Sequence, residues 1–191
     1  MSPLWLANRT VVRKTMAKAP DFTTQRLFLK PLAAGDIDGM AAMDADPEVM
    51  RFVGEGTPRT SPQHRAELES WIDDSEDPPG MAMWTVRPLE KPDRYLGWIM
   101  LYPLPGHEPE VEIGWRFNRA AWGHGYASEA AQAVMEHGFK TVGLDQIVAV
   151  LDPNNQRSRR VCEKLGMRDA GICRAYDTDC ARYVKENGGV E

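Results

Sequence analysis

A strand followed by two glycines and a helix is the most constraining feature of this sequence. Residues 110–117, EVEIGWRF, alternate between polar and apolar side chains, which is typical of a β-strand with one buried face. Residues 122–130, WGHGYASEA, then place Gly123 and Gly125 before a segment with the apolar spacing of a helix. Glycine has no Cβ, so the backbone can approach a ligand closely there. The segment therefore predicts a tight turn between a strand and a helix.

Such a turn can bind an anion, because the start of a helix presents unpaired N–H groups and the positive end of the helix dipole. His124 can add positive charge. A nucleotide phosphate, a pyrophosphate and a turn without a ligand are the three interpretations. A P-loop is excluded, since no Gly-Lys-Ser/Thr follows. A dinucleotide-binding fold is the weaker alternative: Ser128 replaces the third glycine and Asp152 stands in range of a ribose, but the repeated βαβ units are missing.

The remaining elements predict the order β-α-α-β-β-β-α-β-α-β-β, an α+β fold with a mixed sheet. The first helix is expected to begin at Asp36 and to end before Pro47. The second is expected to begin at Ser61–Pro62, with proline in its first turn, and to include Trp71 and Ile72.

Length and charge limit the possible partners. We expect one domain over residues 21–191, preceded by a basic tail over residues 1–20 that holds four basic residues and no acid. Without that tail the net charge falls from −5 to −9, which disfavours nucleic acid as a partner. No apolar run approaches the length of a membrane span, so no membrane partner is expected.

The cysteines indicate neither disulfides nor a metal. Cys162, Cys173 and Cys180 are odd in number and widely spaced, and no CxxC motif or Cys/His cluster is present. We therefore expect no zinc or other metal site, and a reducing, cytoplasmic location.

Residues 110–130, EVEIGWRFNRAAWGHGYASEA, and residues 150–167, VLDPNNQRSRRVCEKLGM, together resemble the core of the GNAT-type N-acetyltransferases. The Rim-type branch, which acetylates the N-termini of ribosomal proteins, is the most similar in style, and the resemblance spans residues 24–186. It implies an α+β GNAT fold whose central, mostly antiparallel sheet of about seven strands is splayed in the middle, with about four helices. It also implies acetyl-CoA as co-substrate.

The resemblance assigns the cofactor-binding residues. The family motif [QR]xxGx[GA] falls on residues 122–127, with Trp122 where Gln or Arg is usual, and implies that the turn amides bind the coenzyme A pyrophosphate. The pantetheine arm is expected along the preceding strand, and the Asn of the second motif beside it. An ordinary turn and helix N-cap is the alternative for this Asn. The residues concerned are Trp115, Arg116, Phe117, Trp122, Gly123, His124, Gly125, Tyr126, Ala127, Asn155 and Ser158.

Acetyl transfer to an amine needs a general base, an oxyanion donor and a proton for the leaving thiolate. Glu112 is the candidate base, with a solvated or salt-bridged acid as the alternative. Many family members place a Tyr where this chain has Cys162, so Ser158 becomes the candidate acid. Cys162 is expected to pack in the core, and direct transfer in a ternary complex is favoured over an acetyl-cysteine intermediate. A catalytically weak acyl-CoA-binding module remains the second hypothesis.

Acidic and aromatic residues in the early helices and the last hairpin are expected to line the acceptor cleft. They favour a small cationic amine or a protein N-terminus, with solvated surface acids as the alternative. A monomer or homodimer is expected. The residues are Asp44, Asp46, Glu48, Trp71, Asp73, Asp74, Tyr176, Asp177 and Asp179.

Overall fold

A computed structural model describes residues 19–72 and 78–188. They form one eight-stranded sheet with the order β1-β2-β3-β4-β5-β6-β8-β7. The strands are β1 (Phe22–Thr23), β2 (Leu27–Pro31), β3 (Ala82–Pro88), β4 (Gly97–Pro103), β5 (Val111–Phe117), β6 (Gln146–Leu151), β7 (Arg168–Ala175) and β8 (Thr178–Glu186).

In the part of the chain that the structure describes, five α-helices accompany the sheet: α1 (Ile37–Asp44), α2 (Pro47–Met50), α3 (Pro62–Ser70), α4 (Tyr126–His137) and α5 (Gln156–Lys164). Short 3-10 segments precede α1 and follow β5, and a π-helical segment, Gly138–Val142, continues α4. The predicted α+β fold with a mostly antiparallel, splayed sheet is confirmed, with one more strand and one more helix than expected.

The sheet opens between its two central strands. All other neighbours pair antiparallel, whereas β5 and β6 run parallel and are joined by one residue pair, Glu112 with Val148. The adjoining β4–β5 ladder contains seven pairs, from Gly97–Phe117 to Pro103–Val111. Beyond Glu112 the two strands therefore separate, which leaves a gap between them toward their C-terminal ends.

The two faces of the sheet are covered by different helices. Gly138, at the end of α4, is so close to Ile147 and Leu101 that a Cβ there would lie 2.8 and 3.3 Å from their side chains. The opposite face of β5 carries Arg116, which contacts α1 through Asp44. Alternation along β5 puts Glu112 and Gly114 on this α1 side as well.

Two details of the helices differ from the sequence prediction. Pro47 does not merely end a helix but begins α2, whose N-cap Asp46 accepts a hydrogen bond from the Glu48 N–H at 2.9 Å. The second helix begins at Pro62 as predicted, but it ends at Ser70, so Trp71 lies at its C-cap rather than inside it. Proline suits the first turn of a helix as well as a break after one, which explains the first difference.

Several expectations concern residues that the structure does not describe. The basic tail lies outside it up to residue 18, and so do Asp73 and Asp74 of the expected acceptor cleft. Within residues 19–72 and 78–188, no helix is long and apolar enough to cross a membrane. The same residues contain no cluster of three or more His, Cys, Asp or Glu side chains placed to hold a metal ion.

Candidate active site

The glycine turn has the predicted strand–turn–helix geometry. Gly123 and Gly125 both have φ of 79°, in the left-handed region that side chains disfavour, and Gly125 is the N-cap of α4 without a side-chain capping bond. A Cβ on Gly123 would meet no atom within 4 Å, so this face of the turn is open. The first N–H groups of the twelve-residue helix α4 precede any intrahelical acceptor, which makes the turn a suitable place for an anion.

Aromatic and basic side chains surround this turn. The Trp122 indole N–H donates to the Phe117 carbonyl at 2.8 Å and ties the turn to the end of β5. The Arg157 guanidinium lies 4.2 Å above the Trp122 ring, and the His124 ring stacks on Tyr126 with 5.5 Å between centroids. The turn is thus pinned on one side by β5 and carries positive charge from α5.

Arg26 holds the other side of the turn. Its guanidinium donates to the His124 carbonyl at 3.0 Å and lies 4.9 Å from the centre of the Tyr126 ring. Glu129 fixes Arg26, accepting its Nε–H at 2.7 Å, and also accepts the Thr24 hydroxyl at 2.6 Å. These hydrogen bonds lower the pKa of Glu129 against the opposing effect of partial burial, which is the largest single influence on it.

Glu112 lies at the point where β5 and β6 separate. Its residue surface is only 4% exposed, and its carboxylate accepts hydrogen bonds from the Tyr176 hydroxyl and the Val150 backbone N–H. Burial raises its pKa to about 7, and the two hydrogen bonds oppose that rise. A carboxyl group with this pKa can accept or release a proton near neutral pH.

Tyr176 reaches Glu112 from the β7–β8 hairpin. Tyr176 and Asp177 form its two-residue loop, with φ of 51° and 62°. Positive φ at both positions is the feature of a type I′ turn, which Asn and Gly normally fill. Burial of the hydroxyl end and the neighbouring carboxylate raise the pKa of Tyr176, so the phenol stays protonated.

On the face of β5 that points toward α1, the residue next to Glu112 is a glycine, and a methionine of β4 covers it. Gly114 pairs with Met100 across the β4–β5 ladder, and a Cβ on Gly114 would lie 2.7 Å from the Met100 Cε atom. A side chain at position 114 would displace Met100. The Met100 thioether therefore occupies the space between Glu112 and Arg116 on this face.

Arg116 is engaged in a buried ion pair on the same face. It donates to Asp44 Oδ1 at 2.7 Å, while His64 Nε2 lies 2.9 Å from Asp44 Oδ2. The guanidinium also lies 5.0 Å from the Trp98 ring centre. Asp44 is fully buried, so this acid of the expected acceptor cleft is already paired inside the protein.

The other expected cleft acids are placed differently. Asp46 caps α2 and lies 3.5 Å from Arg119, and Asp179 lies 3.6 Å from Arg174. Glu48 and Asp177 are exposed. Of the expected cleft residues that the structure describes, only Tyr176 forms a hydrogen bond with Glu112.

The second motif forms the start of α5. Asn155 is its N-cap and accepts the Ser158 N–H at 3.1 Å, which is the ordinary capping role considered for this motif. Among the residues that the structure describes, no hydrogen bond joins Ser158 to Glu112. Cys162 is fully buried, and burial raises the pKa of its thiol to about 12. A thiol in this state is a poor nucleophile.

Sequence reasoning did not identify Arg26 or Arg157 beside the turn, nor the bond between Tyr176 and Glu112. Arg26 lies 103 positions from Glu129, and Tyr176 lies 64 positions from Glu112. Arg157 had a signal in the basic run after Asn155, whereas the other contacts have none in the local pattern.

The splayed sheet, with its glycine turn beyond the end of one central strand, agrees with the resemblance to an acyltransferase family. The model of the acetyltransferase (GNAT) domain family matches residues 26–168, three quarters of the chain. The chain therefore belongs to this family and is a GNAT-type acetyltransferase.

Similarity to individual proteins supports the same family assignment. The chain is 35% identical over 150 residues to YnaD, an uncharacterized N-acetyltransferase of Bacillus subtilis, covering 78% of this chain and 84% of YnaD. A GNAT-family acetyltransferase from Bacillus anthracis superposes with a TM-score of 0.72 at 28% identity, covering 88% of this chain and 99% of that one. Spermidine N-acetyltransferase from Vibrio cholerae, solved with CoA and spermine, has a TM-score of 0.67 at 18% identity over 84% and 95% of the two chains, a likeness of fold alone.

Proposed function

We propose that this acetyltransferase moves the acetyl group of acetyl-CoA directly to a primary amine, with Glu112 as the general base. The observation that carries the proposal is the position of this carboxylate at the single pair that joins β5 to β6. The glycine turn lies beyond the other end of β5. A cofactor that is anchored at the turn and extended along β5 would bring its thioester to Glu112.

In this proposal the turn amides from Gly123 to Ala127 hold the pyrophosphate, with Arg157 adding positive charge nearby and Arg26, balanced by Glu129, holding the turn in place. The pantetheine arm pairs with the backbone of residues 115–117, where β5 no longer pairs with β6. The Arg116 side chain is bound to Asp44 and its backbone pairs with Trp98 of β4, so Trp115 and Phe117 supply the backbone groups that face the gap. Asn155 Oδ1 caps α5, which leaves the Asn155 amide group to approach the arm.

The proposed reaction takes place at the gap between β5 and β6. The amine enters on the α1 side, loses a proton toward Glu112 and attacks the acetyl carbonyl. A backbone N–H of residues 115–117 stabilises the oxyanion, and the carbon–sulfur bond then breaks. Ser158 is the proposed donor to the departing thiolate.

The acceptor in this proposal is a cationic small molecule or a protein N-terminus. Exposed acids on α2 and the β7–β8 hairpin, Glu48 and Asp177, favour a positively charged acceptor. Asp44 does not contribute, because its charge is balanced by Arg116. A Rim-type preference for protein N-termini is supported by the aromatic-Gly-basic-Gly run of residues 122–125, and the Vibrio cholerae enzyme shows that a spermidine acetyltransferase shares this fold.

Coenzyme A binding tests the role of the turn with a matched pair of glycines. Gly123→Ala is expected to weaken the rise in melting temperature on adding coenzyme A or acetyl-CoA, because the strained turn shifts its amides. Gly143 has nearly the same φ, 82°, and the same empty surroundings. Gly143→Ala should therefore lose similar intrinsic stability but keep the full ligand response. A ligand at about 100 times its Kd adds about 2.7 kcal/mol, which a melting experiment resolves easily.

Two outcomes would contradict this assignment. Equal ligand responses in the two alanine variants would remove the pyrophosphate from the turn. A melting shift with NAD and none with coenzyme A would favour the dinucleotide interpretation instead.

Direct transfer predicts that Cys162 carries no acetyl group during turnover. The buried thiol, with its pKa raised to about 12, is expected to remain unmodified when the enzyme is mixed with acetyl-CoA alone. Cys162→Ala should keep at least about a third of the wild-type kcat, since only a small apolar contact is lost. Intact-mass spectrometry checks the first point and steady-state kinetics the second. An acetyl adduct that disappears in Cys162→Ala, together with loss of turnover, would establish a covalent route.

A further inference from the structure

Access to the proposed base is restricted by its own hydrogen bonds. Glu112 is 4% exposed, and its carboxylate is occupied by the Tyr176 hydroxyl and the Val150 N–H. A general base must reach the proton that it removes, directly or through one intervening group. Tyr176 is the intervening group that the structure provides, since its residue surface is 48% exposed while its hydroxyl contacts Glu112.

The backbone conformation at Tyr176 is unfavourable for a residue with a large side chain. With φ of 51°, it occupies a left-handed position in a two-residue hairpin loop. Left-handed backbone is unfavourable for a large side chain, and Asn or Gly would fit this turn better. Strained positions of this kind cluster at functional sites.

Neighbouring contacts fix the hairpin tip above Glu112. His107 Nε2 lies 2.8 Å from the Arg174 carbonyl, which joins the β4–β5 loop to the end of β7. Arg174 donates to the Asp177 carbonyl at 2.8 Å, across the loop itself. On the next strand, Arg182 forms an ion pair with Glu110. The hairpin tip that carries Tyr176 is thus held by contacts from the β4–β5 loop and across the hairpin loop.

We propose that Tyr176 relays the proton of the acceptor amine to Glu112. The inference rests on the proposed function and adds a second catalytic residue to it. As the ammonium N–H bond breaks, the Tyr176 oxygen takes that proton and passes its own to the Glu112 carboxylate. Tyr176 is therefore unchanged, Glu112 becomes protonated, and the amine lone pair is free to attack.

The remaining proton passes from the new amide nitrogen to the thiolate through Ser158, the proposed donor. Attack forms the carbon–nitrogen bond and gives an ammonium-type intermediate, and loss of the thiolate breaks the carbon–sulfur bond. The proton that the new amide nitrogen loses equals the one that the thiolate gains. Glu112 then returns its proton through Tyr176 to solvent, which restores the starting state.

The groups that face Glu112 determine the pH at which the relay operates. Tyr102 lies opposite it on β4, and Cys173 and Cys180 interact with it from β7 and β8. The nearby Glu110 is paired with Arg182. The Tyr176 bond favours the ionised carboxylate, so its removal raises the pKa of Glu112 further.

Tyr176→Phe tests the relay, with Tyr183→Phe as the matched control. Both remove one phenol from the same hairpin, but the Tyr183 hydroxyl lies 3.4 Å from Asp169 rather than beside Glu112. We expect Tyr176→Phe to lower kcat about 100-fold or more, to move the acid limb of its pH profile to higher pH and to leave the coenzyme A melting shift intact. Tyr183→Phe should change none of these.

A double variant completes the test. If the two residues act as one unit, Glu112→Gln combined with Tyr176→Phe should be no slower than Glu112→Gln alone. Wild-type kcat in Tyr176→Phe, or a change in KM alone, would overturn the relay while leaving the proposed function intact. Failure of the wild-type enzyme to acetylate any amine, despite binding acetyl-CoA, would overturn the proposed function itself.

Discussion

Replacing Glu112 with glutamine is expected to lower kcat by about 10²- to 10⁴-fold. The amide keeps the shape of the side chain but cannot accept the proton of the amine. Coenzyme A binding should be unaffected, because the proposed pyrophosphate site lies beyond the other end of β5. Steady-state thiol release at saturating acetyl-CoA, together with ligand-induced melting shifts, measures the two effects separately.

The proposed role of Glu112 also predicts how kcat changes with pH. Burial raises the pKa of Glu112 to about 7, and the base functions only in its ionised form. The wild-type kcat should therefore fall as pH decreases through about 7, by about tenfold per unit. In Glu112→Gln this acid limb should disappear.

Glu110→Gln is the control for the Glu112 prediction. Glu110 is close in sequence and also acidic, but Arg182 holds it in an ion pair. Its replacement should change kcat by less than about tenfold, as suits a residue outside the proton path. A comparable loss in both variants, or an unchanged acid limb in Glu112→Gln, would contradict the role of Glu112.

Asp44→Asn is expected to destabilise the protein by about 3–5 kcal/mol. Asp44 is fully buried and balances Arg116, with His64 on its other oxygen. Removing the negative charge leaves the Arg116 guanidinium without its balancing charge. The Arg116 side chain is only 15% exposed, so solvent compensates little for the loss. Chemical denaturation at fixed pH, with the free energy of unfolding extrapolated to water, gives the value.

Asp46→Asn supplies the comparison for Asp44. This residue lies two positions away and caps α2, a role that Asn fills as well as Asp. Its ion pair with Arg119 is 3.5 Å long and near the surface, so its loss should cost less than about 1 kcal/mol. Similar losses in the two variants would show that the Asp44 pair is not the main contribution.

The strand–turn–helix unit could be predicted from sequence because all of its determinants are local. Alternation defines β5, glycines define the turn, and apolar spacing defines α4. The same alternation correctly separated Glu112 and Arg116 from the α4 side of the strand. The end of α5 was equally local: Gly166 has φ of 66°, and the Met167 N–H bonds the Cys162 carbonyl as in a Schellman motif.

The state of each acid could not be predicted, because it depends on distant partners. Asp44 read as a cleft acid, yet its partner Arg116 is 72 positions away. Glu112 read equally well as a solvated acid, yet the Tyr176 hairpin covers it. Alternation assigns a side chain to a face of the sheet, whereas burial and pairing follow from how the faces pack.

The most direct test of acetyl transfer to an amine is thiol release from acetyl-CoA with a panel of amines. The panel contains spermidine, a diamine, an aminoglycoside and peptides with free N-termini, and Glu112→Gln serves as the control. We predict amine-dependent thiol release by the wild-type protein, accompanied by an acetylated amine in the mass spectrum and strongly reduced in the variant. Binding of acetyl-CoA without thiol release for any amine would contradict this function and would favour an acyl-CoA-binding module.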